Sequence, residues 1–357
     1  MRSGSPMSYY KTMKKEGIIS LVILMALSSC SHNEAVEPEA DAPAIAFSAD
    51  MSEKNAVVRS GGLEETGVNS FRVWSYKSIA KDGDNYTDYQ TVMNGYYVRW
   101  TDDRTQTNSD DWEYILLAYP SQKIKFWDFS AKAYRFFAIA PETACGEGDI
   151  TRGADRYDFT LYADATNPET TPYFSRLWFS DKTTKPFGQP VTMEFVQPLA
   201  YVRFLYAYSD PDADPLPMLE DPDLRPFASG QRIAVTGDVT ISYPLTGAAT
   251  TESWTSEVDW SKYLVSFTTP YETSADWETV LPIRDQGPYK FTVTVNGEDR
   301  WCTVPAQFMD WAPGYQYTYV FKVNDEGGVE LDNVRIGIPS PEWEPGKVSD
   351  NYNLFNW

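Results

Sequence analysis

Histidine is nearly missing from this chain: there is one, His32, and it stands outside any patterned sequence. That removes Ser-His-Asp and Cys-His nucleophilic mechanisms, and nearly all zinc chemistry, from the folded part. Cysteine is almost as scarce. Besides Cys30 there are only Cys145 and Cys302, neither in a CxxC pair, which leaves a disulfide in an oxidising compartment or two isolated buried thiols as the two readings. The sequence has no Gly-rich phosphate loop and no dinucleotide fingerprint, so no cofactor is expected. Nor is there an internal repeat or a helical stripe longer than a couple of turns. Positive charge is also short. With 30 Lys and Arg against 51 Asp and Glu, the net charge of -21 argues against nucleic acid or an anionic membrane face as a partner.

Carboxylates are the one catalytic resource left, because a glycosidase needs only two of them. Spacing singles out no pair among the 51, so no catalytic residue is assigned and an uncharacterised hydrolase is the weakest reading. Asp210, Asp212 and Asp214 alternate with prolines and lack the Gly and distal Glu of a calcium loop, which makes them a solvated acidic turn; no metal site is expected.

What is present begins with a signal. Lys14 and Lys15 precede the apolar run Ile18 to Leu27, and Leu27-Ser28-Ser29-Cys30 closes it. The run falls far short of the roughly 20 residues a membrane helix needs, so residues 1–29 read as a cleaved lipoprotein signal with Cys30 as the lipidated first residue. Residues 1–12 lie upstream of the pattern, as an annotation artefact would if Met13 or Met7 is the true start. Residues 30–43 carry no periodic apolar pattern and form a tether reaching roughly 40 Å.

From Ala44 the pattern is alternation. Phe71 to Tyr76, Tyr96 to Trp100, Tyr114 to Leu117 and Tyr134 to Ile139 are short aromatic and β-branched runs bounded by polar turns. Ile233, Val235, Val239 and Ile241 share one face, as do Tyr289, Phe291, Val293 and Val295. Asn296-Gly297 follows as a type I′ hairpin turn. Tyr315 to Val323 alternates again, and Asp325 to Gly328 turns it toward Val329. One wet face and one buried face predict all-β, antiparallel sandwich layers. Trp74, Trp127 and Trp311 are predicted core, whereas Trp343, Phe355 and Trp357 lie in a Pro-rich tail. The Pro-rich stretch Lys185 to Pro190 sets the expected division: one sandwich over 44–190, a second over 191–338, and a tail over 339–357.

The order of Ile45-Ala46-Phe47-Ser48, Arg59, Phe71-Arg72-Val73-Trp74, Val98-Arg99-Trp100, Trp112-Glu113-Tyr114, Trp127 and Tyr134 to Pro141 resembles the first domain of the fimbrillin (FimA/Mfa-like) family. Phe195 to Phe204, Val280-Leu281-Pro282 and Trp311 to Lys322 resemble the second. These are pilins and pilus-accessory lipoproteins of Bacteroidales. The resemblance implies two transthyretin-like β-sandwiches in tandem, display on the outer membrane and in fimbriae through the lipid anchor, and other pilus subunits as partners, with host or bacterial surface ligands for an adhesive member. It also implies a protease cut between Arg59 and Ser60 that frees the first strand for replacement by a neighbouring subunit's strand. Two segments alternate suitably for a donor: Val334, Ile336 and Ile338 first, and the tail with Tyr352 and Leu354 second. A reading from another class is a monomeric glycan- or ligand-binding surface lipoprotein that uses exposed aromatics.

Overall fold

A computed structural model describes residues 42–51, 62–101, 111–210, 212, 219–225, 236–256, 265–266, 278–284, 289–324, 326–337 and 353–356. Cys30, Arg59, Ser60, Ile338 and Tyr352 lie outside them, as do Ile233 and Val235. The chain is all-β. Among the described residues the only helices are short 3-10 turns such as Leu63–Thr66.

The first half contributes β1 (Phe47–Met51), β2 (Ser70–Asp82), β3 (Asn85–Trp100), β4 (Trp112–Glu113), β5 (Ala133–Ala140), β6 (Ile150–Arg152), β7 (Arg156–Asp164), β8 (Tyr173–Ser175), β9 (Trp178–Ser180) and β10 (Val191–Val196). The second half contributes β11 (Ala200–Tyr208), β12 (Leu219–Arg225), β13 (Thr236–Pro244), β14 (Ser253–Ser256), β15 (Val265–Ser266), β16 (Glu278–Val280), β17 (Tyr289–Val295), β18 (Glu298–Val304), β19 (Gln316–Val323), β20 (Val329–Gly337) and β21 (Asn353–Asn356).

The largest sheet runs β2-β3-β4-β1-β10-β8-β5-β9, and β2 also pairs with β5, so the sheet closes on itself. Its interior is packed with Ile45, Phe47, Phe71, Val73, Trp127, Phe136, Val191, Met193 and Phe195. The outer face of β2 and β5 is covered in turn by the sheet β14-β13-β7-β6, through Trp74, Phe137, Phe159, Leu161, Val239, Ile241 and Tyr243. Buried on both faces, β5 reads Ala-Tyr-Arg-Phe-Phe-Ala-Ile-Ala with no alternation and no exposed residue. The second sandwich faces β16-β11-β19-β20-β21 against β15-β12-β17-β18. Its core holds Val202, Val295, Val304, Trp311, Tyr317, Tyr319, Phe321 and Val334.

Several expectations change here. The pairings are antiparallel except for β1 with β10 and β11 with β19, which are parallel. Val191 to Val196, expected in the second domain, is β10 and pairs with β1 and β8 of the first sheet. More distant still, β13 registers along all of β7, from Thr236 opposite Asp164 to Pro244 opposite Arg156. The pairings therefore cross a division at Pro190, and the β13–β14 hairpin is sequence from beyond that division that completes the first sandwich. Tyr114 to Leu117 is loop and not strand: Tyr114 is buried with its hydroxyl donating to the Ile45 carbonyl at 3.0 Å, while Leu117 is fully exposed. The hairpin turn is as expected, with φ of 53° at Asn296 and 77° at Gly297, and Trp74, Trp127 and Trp311 are all core. Cys145 and Cys302 are free, buried thiols in different cores.

Candidate functional site

The candidate site is the slot that holds β1, the strand that precedes the implied protease segment in sequence. Sequence sets its polarity: Ile45, Phe47 and Ala49 point inward and are buried, while Ser48 and Asp50 face outward. One edge of β1 is registered with β10 from Phe47 opposite Val191 to Met51 opposite Phe195. The other edge has a single strand pair, Phe47 with Trp112 of β4. Upstream, Ile45 N–H donates to Lys125 O at 2.7 Å and Trp127 N–H to Pro43 O at 3.1 Å, which extends the contact through a loop and not a strand.

Aromatic rings make the floor of the slot. The Phe47 ring sits edge-on to Phe71, Tyr114 and Phe136 at centroid distances of 6.1, 5.8 and 6.0 Å. Edge-to-face contacts of this kind add to plain area burial. Outside, Ser48 Oγ donates to Thr192 Oγ1 at 2.9 Å. Asp50 stands opposite Glu194 in the register, so two acidic residues neighbour each other near the C-terminal end of β1.

The covering hairpin is held by polar contacts that periodicity does not reveal. Arg135, 1% exposed, has its guanidinium over the Tyr86 and Phe179 rings and donates to the carbonyls of Gly247 at 2.9 Å and Ala249 at 3.3 Å. Burial lowers its pKa to about 10. Glu252 pairs with Arg176 at 2.8 Å and accepts Leu177 N–H at 2.8 Å, and Arg176 also donates to Pro313 O at 3.1 Å, tying both sandwiches together. Behind the slot, buried Lys77 donates to Asp128 at 2.6 Å. Burial works to raise the Asp128 pKa, but hydrogen bonds from Lys77 and Ser130 outweigh it and hold the carboxyl at about 2.

Of the two donor candidates, the first is embedded. Val334 is fully buried and Ile336 half-buried on β20, which has β19 on one side and β21 on the other. Leu354 belongs to β21, an edge strand with four registered pairs to β20. No group of His, Cys, Asp and Glu able to hold a metal occurs among the described residues. Asp210 and Asp212 are exposed, with Asp212 N–H donating to Asp210 at 3.0 Å in a local turn.

No family model matches the sequence, and no curated protein matches it either. Among solved structures, the chain is similar to a candidate cell adhesion protein of Bacteroides uniformis at 13% identity and a TM-score of 0.39, covering 83% of this chain and 99% of that one. A candidate cell adhesion protein of Bacteroides ovatus is similar at 13% identity and a TM-score of 0.36, covering 87% and 99%. A fimbrial protein of Bacteroides vulgatus is similar at 14% identity and a TM-score of 0.38, covering 83% and 99%.

Proposed function

We propose that this is a non-enzymatic, lipid-anchored surface subunit of the fimbrillin type, structural or adhesive, in which β1 is a replaceable closing strand. The observation that carries the reading is the asymmetry of β1. It seats three apolar side chains in a ring-lined slot, yet it is only five residues long and has one fully registered neighbour. Arg59 and Ser60 follow it in sequence by a few residues. A cut there leaves β1 held by non-covalent contacts alone, and its departure uncovers an aromatic groove with open strand edges, which is what strand addition by another subunit fills. As donor, the segment containing Tyr352 and Leu354 suits the role better than Val334, Ile336 and Ile338. An edge strand leaves its sheet at the cost of four pairs, whereas β20 would have to abandon two neighbours and a buried valine.

Limited trypsin treatment of the purified chain tests the reading. A new N-terminus at Ser60 followed by concentration-dependent polymers supports it, provided that deleting residues 339–357 abolishes the polymers and leaves the cut intact. Clean cleavage that leaves a stable monomer rejects it. Fatty-acid labelling of wild type against Cys30→Ala tests the anchor separately, and equal label in both rejects that part. Trp301, 59% exposed on β18, is the feature that favours a glycan-binding lipoprotein instead. A stable monomer retarded by polysaccharide in a native gel is the result that would select that reading.

A further inference from the structure

We infer that the fold bears tension: a chain held at its N-terminal side and pulled through its second sandwich loads both parallel strand pairs in shear. The direction of pull rests on the anchoring reading, but the mechanical property does not. Two topological facts carry it. The only parallel pairings among the described strands are β1 with β10 and β11 with β19, and they lie where the backbone enters each sandwich. In the first, the chain enters at the start of β1 and leaves for the second sandwich from the end of β10. In the second, it enters at the start of β11, and the end of β19 is the far end of the same lane.

Direction follows from the connection. Val196 and Ala200 are separated by three residues, so the second sandwich begins within about 13 Å of the end of β10. Leu199 is buried and its carbonyl accepts Gly314 N–H at 2.7 Å, which fixes that junction. A pull on residue 43 is therefore opposed from the opposite end of the β1–β10 pair. Two parallel strands drawn from opposite ends must slide, and every registered pair resists together; drawn from the same end, they peel one pair at a time. The register runs from Phe47–Val191 to Met51–Phe195 in the first pair and from Tyr201–Gln316 to Tyr208–Val323 in the second. The inserted β13–β14 hairpin, clamped by Arg135 and Glu252, adds a second route by which force leaves the first sandwich.

Single-molecule pulling on the unacylated full chain separates the two geometries without altering the fold. Handles are attached to the Cys30 thiol and to a second thiol at Glu326→Cys, just past β19, for shear, or at Gln189→Cys, just before β10, for peeling. Both positions are exposed, while Cys145 and Cys302 are buried and their thiols pushed up to about 11 and about 12. Gly188 lies against Pro43, so in the peeling variant the load enters the described fold at residue 43, beside the second handle. Thermal melts of both variants matching wild type establish that the fold is intact. The first rupture force for Cys30–Glu326 should be about twofold or more that for Cys30–Gln189, since the registered pairs share the load in one and the end pair carries it in the other. Equal forces, or a lower force in the shear geometry, overturn the inference. Failure of fatty-acid labelling at Cys30 would reject the anchor and leave this result untouched.

Discussion

Replacing Phe47 by Ala tests whether β1 is the seat of the first core. The side chain is fully buried and has three ring neighbours in edge-on contact. Truncation leaves a cavity walled by the largest side chains of the closed sheet, which are held in place by their own neighbours and cannot collapse into it. Phe71 packs on Trp112 at 5.2 Å and on Phe195 at 5.3 Å, and Phe136 on Trp178 at 5.4 Å. A poorly relaxing site belongs toward the upper part of the Phe-to-Ala range, so the cost should be about 4 kcal/mol. Set against a typical domain stability of roughly 5–15 kcal/mol, that is a large share, and it lowers the melting temperature by roughly 10 °C. Urea titration followed by tryptophan fluorescence reads it. Two neighbours calibrate the result: Ser48→Ala loses one outward hydrogen bond and should cost about 1 kcal/mol, and Leu117→Ser, fully exposed, should stay within about 0.5. A cost below about 1 kcal/mol for Phe47→Ala, with an unchanged m-value, would refute the placement of β1 in the slot.

The remaining predictions concern the other supports of the slot. Glu252→Ala removes a nearly buried carboxylate from Arg176 and from the Leu177 N–H, and should cost about 3 kcal/mol by the same titration. A fragment ending at residue 190 lacks β10 and the β13–β14 hairpin, exposing Phe159 and Leu161, so it should give collapsed or aggregated material by size exclusion and NMR dispersion, whereas the whole chain gives a monomer peak. Asp128 has a folded pKa of about 2, below its usual unfolded value near 3.9, so its contribution is complete above about pH 4 and is lost as pH falls toward 2. Stability measured between pH 5 and 2 should therefore fall less steeply in Asp128→Asn than in wild type, even though the variant starts lower because Lys77 stays buried without its partner.

How much of this was legible in the sequence depends on what periodicity encodes. Alternation says which side chains face inward, and it placed Val239, Ile241, Tyr317, Tyr319 and Phe321 in cores correctly. The Asn-Gly pair gave its turn because two positive φ angles are a local demand. Neighbours are a different matter. A strand with one apolar face satisfies that face against any sheet, so nothing in Thr236 to Pro244 says that it pairs with β7 and not with its sequence neighbours. The resemblance to two tandem domains invites a single division of the chain, and the β13–β7 register crosses such a division. The Pro-rich stretch before Val191 marks a turn, and a turn between strands of one sheet looks the same in sequence as a linker between domains.

The polar contacts show the same limit from the other side. Arg135 sits in a run of buried apolar residues, where a charged side chain is the informative exception, and a lone arginine in such a strand could have been singled out as a residue with buried work to do. Its partners could not, because they are two backbone carbonyls more than a hundred residues away. Those carbonyls belong to the hairpin that covers the sandwich built around β1. The strand exchange proposed for the first sandwich requires its other supports to be independent of β1, and the cover meets this condition: β13 is registered to β7, and its loop to Arg135, without touching the β1 register. Closing strand and cover are separate in structure. Under the proposed strand exchange this separation would let the slot be emptied and refilled while the sandwich persists, and Glu252→Ala should weaken the fold without changing where trypsin cuts.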